Sequence, residues 1–250
     1  VALSDVDLGP WGRIAGFDGL SGTANLNASL RETKGSLPTA NVKGQITGIT
    51  AKAVKGLKPF EMILDLDLND GSMVGSASLG NSDVKILSAD GTVPLPISVL
   101  QQEFSPDVTA PVSGKVRIDG EIAEFWPYVP APDHMVSGNI NLALDVGGTL
   151  DDIEWKGDVA LADGHYENLV YGTLLDQVTL NGEFDQNGLS IPGITATDGG
   201  NGRVTASVDL EIKDGGELAY DVAAKLNNVA LSRKDELLFW ADVDATVTGN

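Results

Sequence analysis

The chain has 250 residues with 16 Lys+Arg against 36 Asp+Glu, a net charge of −20 and no cysteine. That balance excludes nucleic-acid recognition, which needs a basic footprint, and docking onto anionic lipid headgroups, which recruit Lys and Arg. The missing cysteines exclude a disulfide framework and thiol chemistry, while 42% hydrophobic residues suit a folded chain rather than an acidic disordered tail.

From its first residues, Val1-Ala2-Leu3-Ser4, the chain shows no signal peptide, and no run approaches the roughly 18 apolar residues of a membrane-spanning helix. It starts there in mid-pattern and stops in mid-pattern at Thr248-Gly249-Asn250, which reads as one section (1–250) of a longer protein. The first predicted unit opens at Ser21-Gly22, and a second strand begins at Lys43-Gly44. Leu64, Leu66 and Leu68 then alternate with Asp65 and Asp67, the signature of a strand with one dry and one wet face. Asp65-x-Asp67-x-Asn69-Asp70-Gly71 has a faint calcium-loop spacing, but its glycine comes one place late and position 76 is Ser instead of the closing Glu. A solvated strand face is the expectation there.

A further unit opens at Ser113-Gly114, and Glu121–Trp126 carries apolar residues at 122, 125 and 126 before Pro127, which predicts a short helix. Trp126 on that helix would pack as ordinary core or cover one end of the sheet. The third unit, Ser137-Gly138-Asn139-Ile140-Asn141-Leu142, repeats Ser21-Gly22-Thr23-Ala24-Asn25-Leu26, and Lys156-Gly157 repeats Lys43-Gly44. Such recurrence predicts a sheet that grows by adding strand pairs. Ile140, Leu142, Leu144 and Val146 continue the alternation, as do Trp155, Val159 and Leu161, then Val178 and Leu180. Val204, Val208 and Leu210 follow, then Leu218, Tyr220 and Val222, then Val243 and Val247. Ser232 before Asp235-Glu236 could cap a single helical turn.

Turn signals punctuate these runs: Asn69-Asp70-Gly71, Ala89-Asp90-Gly91, Ala162-Asp163-Gly164, Gln186-Asn187-Gly188, Asp198-Gly199-Gly200-Asn201-Gly202 and Asp214-Gly215-Gly216. The fold class that follows is all-β, a long antiparallel meander. Alternation alone leaves open whether the dry faces close into a sandwich or barrel or line a curled, greasy trough.

Chemistry-bearing motifs are missing. His134 and His165 have no His or Cys partner at metal spacing and read as solvated loop residues. No P-loop, zinc-protease helix or dinucleotide fingerprint appears, and Gly199, Gly200 and Gly202 lead into a strand and not a helix. The reading is therefore a non-enzyme without cofactor or metal.

Taken in order, Gly147-Gly148-Thr149-Leu150, Asp163-Gly164-His165-Tyr166-Glu167-Asn168 and Ala196-Thr197-Asp198-Gly199-Gly200 resemble the TamB family, the inner-membrane subunit of the translocation and assembly module, related to AsmA-like bridge proteins. The resemblance covers nearly the whole chain and is best from about 105 to 212. It implies a curled sheet (a β-taco) with a hydrophobic interior, lying in the periplasm of a protein anchored in the inner membrane outside this section. Its implied cargo is phospholipid, through its acyl chains, and its implied partner is an outer-membrane barrel of the Omp85 type, TamA-like, reached through a missing C-terminal part. Outer-membrane protein assembly is the implied alternative role. No catalytic residue carries over; the twenty dry positions from Leu64 to Val247 named above are the expected lipid-contacting face.

Overall fold

The computed structural model describes residues 1–10, 20–51, 58–81, 85–98, 103–104, 107–124, 126, 129, 131–213, 216–234 and 237–249. Sixteen strands appear among them. They are β1 (Ala2–Asp7), β2 (Leu20–Arg31), β3 (Thr39–Ala51), β4 (Phe60–Asn69), β5 (Ser72–Gly80), β6 (Lys85–Pro94), β7 (Ile97–Ser98) and β8 (Glu103–Phe104). Then come β9 (Ser113–Glu121), β10 (His134–Gly148), β11 (Ile153–Asn168), β12 (Thr173–Asp185), β13 (Gly188–Thr197), β14 (Arg203–Ile212), β15 (Leu218–Lys234) and β16 (Leu237–Gly249). Fourteen form one sheet in simple chain order, with β1 and β16 at its two edges; β7 and β8 make a separate short ladder. The fold is all-β, and the sheet is not closed into a barrel.

The chain divides into two compact units, Val1–Ile118 with Leu144–Trp155, and Asp119–Ala143 with Lys156–Asn250. In the first, directly opposite residues share a face, so cross-strand partners define rows. Leu26, Gly44, Leu64, Ala77, Ala89 and Val116 form one such row, and Ala24, Ile46, Met62, Leu79, Leu87 and Ile118 form the next. The other face carries Asn27, Lys43, Asp65, Ser76, Asp90 and Lys115 opposite one another. Period-two alternation has thus been converted into one apolar and one polar face.

In the second unit apolar rows cross the strands from β11 to β16. One runs Leu161, Leu180, Ile194, Ala206, Ala224 and Ala245. Another ends Val208, Val222 and Val247. Where the apolar spacing slips from two to three, an extra residue bulges out and restores the face. Asp163 on β11, Gln177 on β12 and Asn228 on β15 occupy such gaps with φ of 51°, 52° and 49°. In the first unit Gly48, φ 67°, does the same between Ile46 and Ile49. Each bulge bends its strand and increases its twist.

Several sequence expectations are corrected. Asp90-Gly91 and Asp163-Gly164 are not hairpin turns: the first lies inside β6, Asp90 on the polar face and Gly91 opposite Gly75 and Gly114, and the second is a bulge inside β11. The alternation of neighbouring strands outweighs local turn preference at both. Asp70-Gly71, both at positive φ, does turn β4 into β5, and Gln186-Asn187 joins Asp185 to its partner Gly188. Of the Asp214-Gly215-Gly216 signal, the first two residues lie outside the described set. The predicted helix reduces to a single 3-10 turn, Ile122–Glu124; Phe125, Pro127, Tyr128 and Pro130 lie outside the described residues. Ser232 caps no helix. It sits in β15, while Asp235 and Glu236 lie outside the described residues, as does Trp11.

Candidate functional site

The candidate site is the apolar sheet face; groups of His, Cys, Asp or Glu that could hold a metal ion are absent among the described residues. Leu64, Leu66, Leu68, Leu144, Val146 and Trp155 belong to the first unit. Leu64, Leu66 and Leu68 pair across β4 and β5 with Ala77, Gly75 and Met73. In the second unit, Val159 and Leu161 stand opposite Gly182 and Leu180, and Gly164 stands opposite Val178. Val204, Val208, Leu210 and Ile212 stand opposite Leu226, Val222, Tyr220 and Leu218, with Val243 and Val247 next in line on β16. Ile140 and Leu142 occupy alternate positions on β10.

Burial decides what this face is. Of those twenty positions only Leu68 is buried; Leu218, Tyr220, Val243 and Val247 are exposed, Val247 at 55%, and the others are half-buried. A packed sandwich would bury such residues almost completely, with each touching many neighbours. Here the Val, Leu and Ile residues stand opposite one another in rows and stay half-exposed or exposed, Leu68 excepted. Sequence reasoning missed Met62, Met73, Leu79, Leu87, Phe184 and Ile191 as members of the same face. The strand of Leu87 was hidden by reading Asp90-Gly91 as a turn, and Ile191 by the spacing of three to Ile194.

The polar face is knitted by short cross-strand contacts. Lys43 lies 3.1 Å from Asp65, Asn41 donates to Asp67 at 2.8 Å, Arg117 reaches Asp145 at 3.1 Å, and Ser190 donates to Asp209 at 2.6 Å. Asp65 and Asp67 therefore belong to a strand face and not to an ion loop. Neither histidine lies in a loop. His134 opens β10 with Nδ1 2.9 Å from the Tyr166 hydroxyl, and His165 lies in β11 with Nδ1 3.4 Å from Asp176. The Trp126 indole N–H donates to the His134 carbonyl at 2.9 Å.

The glycine- and aspartate-bearing motifs turn out to shape the ends of the second unit's strands. A Cβ on Gly138 would lie 2.7 Å from the Gly164 Cα, so the Ser-Gly of one strand and the Asp-Gly of the next form one close backbone crossing. Asn168 accepts the N–H groups of Val170 and Tyr171, closing the β11–β12 hairpin. Asp198, 2% exposed, accepts Gly200 N–H at 2.8 Å and Gly202 N–H at 3.0 Å on one oxygen. Its other oxygen accepts Ala230 N–H at 3.0 Å and pairs with Arg233 at 3.0 Å. Burial pushes the Asp198 carboxyl up, but the three backbone donors and the Arg233 charge outweigh it and hold the group below the usual carboxylate range. Thr173 donates to Leu231 C=O at 2.7 Å and Ser232 to Tyr171 C=O at 3.0 Å. The ends of β12 and β15 thus meet over the β13–β14 loop, with Val229 and Ala230 wholly buried beneath.

No protein family, characterised protein or solved structure matches the chain.

Proposed function

We propose that this chain is a section of a bridge that shelters phospholipid acyl chains on its apolar sheet face, for movement of lipid between the two membranes of a bacterial envelope. The observation that carries the reading is the half-exposed dry face: row after row of Val, Leu, Ile and Ala, laid side by side and left uncovered. At about 0.8 kcal/mol per CH₂ removed from water, a 16-carbon chain gains about 12 kcal/mol at full burial and roughly half of that against one face. Rows of similar side chains repeat along the sheet, so binding is nearly even and a chain can slide without a deep trap. The acidic exterior keeps the section in water. Resemblance to the TamB family supports a periplasmic location, an anchor in the inner membrane and an Omp85-type partner.

Photo-cross-linkers at Leu142, Val208 and Val222 test this reading. Lipid adducts at these positions and none at Asp145 or Asp209 are expected; the reverse pattern overturns it. A second reading, handling of outer-membrane protein strands, is favoured by β16, a 13-residue strand that among the described residues pairs through β15 alone. Under that reading the same cross-linkers capture polypeptide.

A further inference from the structure

We infer that one strand-end rim of the second unit inserts into a neutral, zwitterionic lipid surface. The rim gathers three departures from the pattern of the rest of the chain. Hairpin positions usually filled by polar residues hold Leu169, Val170 and Tyr171, all exposed, Tyr171 at 66%. Trp240 shares the polar face of β16 with Asp242 and Asp244, and the residue is 51% exposed. Phe239 is exposed at the same strand end.

These residues are neighbours. Ser232 bonds the Tyr171 carbonyl and stands opposite Phe239, and Ala230 stands opposite Trp240. The Asp198 clasp fixes that arrangement, so the apolar tips are presented without a cost of ordering them. At the opposite ends of the same strands Lys156, Asp185, Glu211, Lys213 and Glu217 stand among the exposed Ile212 and Leu218, so the apolar tips there are interspersed with charge.

Charge and area select the occupant. Arg233 is tied to Asp198 and Arg203 donates to the Gly200 and Gly202 carbonyls, Asp133 and Asp242 flank the patch, and the net charge of −20 opposes an anionic bilayer. The five side chains expose roughly 500 Å² of apolar surface, short of the ~800 Å² per partner of a stable protein pair. Aromatic rings with a polar edge, such as Tyr171 and Trp240, suit the headgroup level of a bilayer.

Co-sedimentation of the whole chain with phosphatidylcholine vesicles tests the inference, with quenching of Trp240 by brominated phosphatidylcholine as a second readout. The wild-type chain sediments with neutral vesicles, and Trp240→Phe removes most of the quenching. Val170→Asp combined with Tyr171→Asp lowers partitioning about tenfold or more while the thermal melt stays unchanged, because both side chains are exposed. The tip variant leaves lipid cross-linking at Leu142, Val208 and Val222 unchanged, which separates this inference from the acyl-chain reading above. Several results overturn it: no sedimentation with neutral vesicles, binding only to phosphatidylglycerol vesicles, or a tip variant that binds like wild type. A concentration-dependent dimer that the tip variant abolishes would likewise overturn it, assigning the patch to a second copy.

Discussion

Two regions of the second unit use the same strands in opposite ways. At the clasp, β12, β13, β14 and β15 close over Val229 and Ala230, and a carboxylate buried there has all its bonds made. A few residues further along the same strands, Val204, Val208, Leu210 and Val222 lie in ordered rows and stay half-exposed. The first region resembles a protein core reduced to its minimum. The second is a surface held in shape by neighbours on its own sheet. The difference teaches that stability and the candidate site are separable here, because the rows do not need to pack against a second layer for the strands to stay paired. Ten uninterrupted partners join β14 to β15 through their backbones.

Substitutions can break that separation or sharpen it. The largest effect is expected at Asp198→Ala, which strands the buried N–H groups of Gly202 and Ala230, the part-buried N–H of Gly200 and the Arg233 charge. A loss of about 3–5 kcal/mol in chemical denaturation is expected, and a loss below about 1 kcal/mol would mean that the clasp does not hold the unit. Gly202→Ala comes next, since its Cβ would sit 2.6 Å from the Asp198 carboxyl carbon and 2.7 Å from the Asn228 carbonyl oxygen. A cost of about 1–3 kcal/mol follows from overpacking, read as a shift in the denaturation midpoint.

The same carboxyl sets an acid limb. Its pKa is lower folded than unfolded, so the unfolded chain binds the proton more readily in acid. The stabilisation is fully present above the unfolded value of about 3.9 and drains away as pH falls through the lower folded value. Asp198→Asn should flatten this part of a stability-against-pH curve; an unchanged slope would assign the acid sensitivity elsewhere.

Val208→Ala on the open face should cost less than about 1 kcal/mol, because the methyl groups it removes are only half taken out of water. A cost of 2 kcal/mol or more, the range of packed cores, would show that something covers the face. Smallest of all is Lys43→Ala, which removes an exposed pair with Asp65 and should shift the midpoint by no more than about 0.5 kcal/mol.

Much of this architecture was legible beforehand. Alternation through Leu64–Leu68, Val204–Leu210 and Leu218–Val222 marked strands and their dry side, because residues two apart in a strand must share a face. Asp70-Gly71 announced its hairpin through the positive φ that both residues adopt. Asp163-Gly164 offered the same local signal and became a bulge, since the flanking alternation continues on both sides and β12 supplies partners throughout. Ile191 and Ile194, three apart, look out of phase until the extra residue on β13 returns both to one face. The clasp was the least legible element. Asp198 sits in a run of glycines that reads as an exposed loop, and its partners Ala230 and Arg233 are 32 and 35 residues away.

By itself, then, the sequence determined the class of structure: antiparallel strands, one wet side, one dry side and a strong negative charge. These follow from chemistry that acts over two or three neighbouring residues. Tertiary structure alone decided that most of the dry side stays half-exposed, that the sheet is not closed into a barrel, and that one aspartate is buried as a clasp. Those outcomes depend on which strands meet and where a bulge shifts their register, and such pairings are made between residues far apart along the chain.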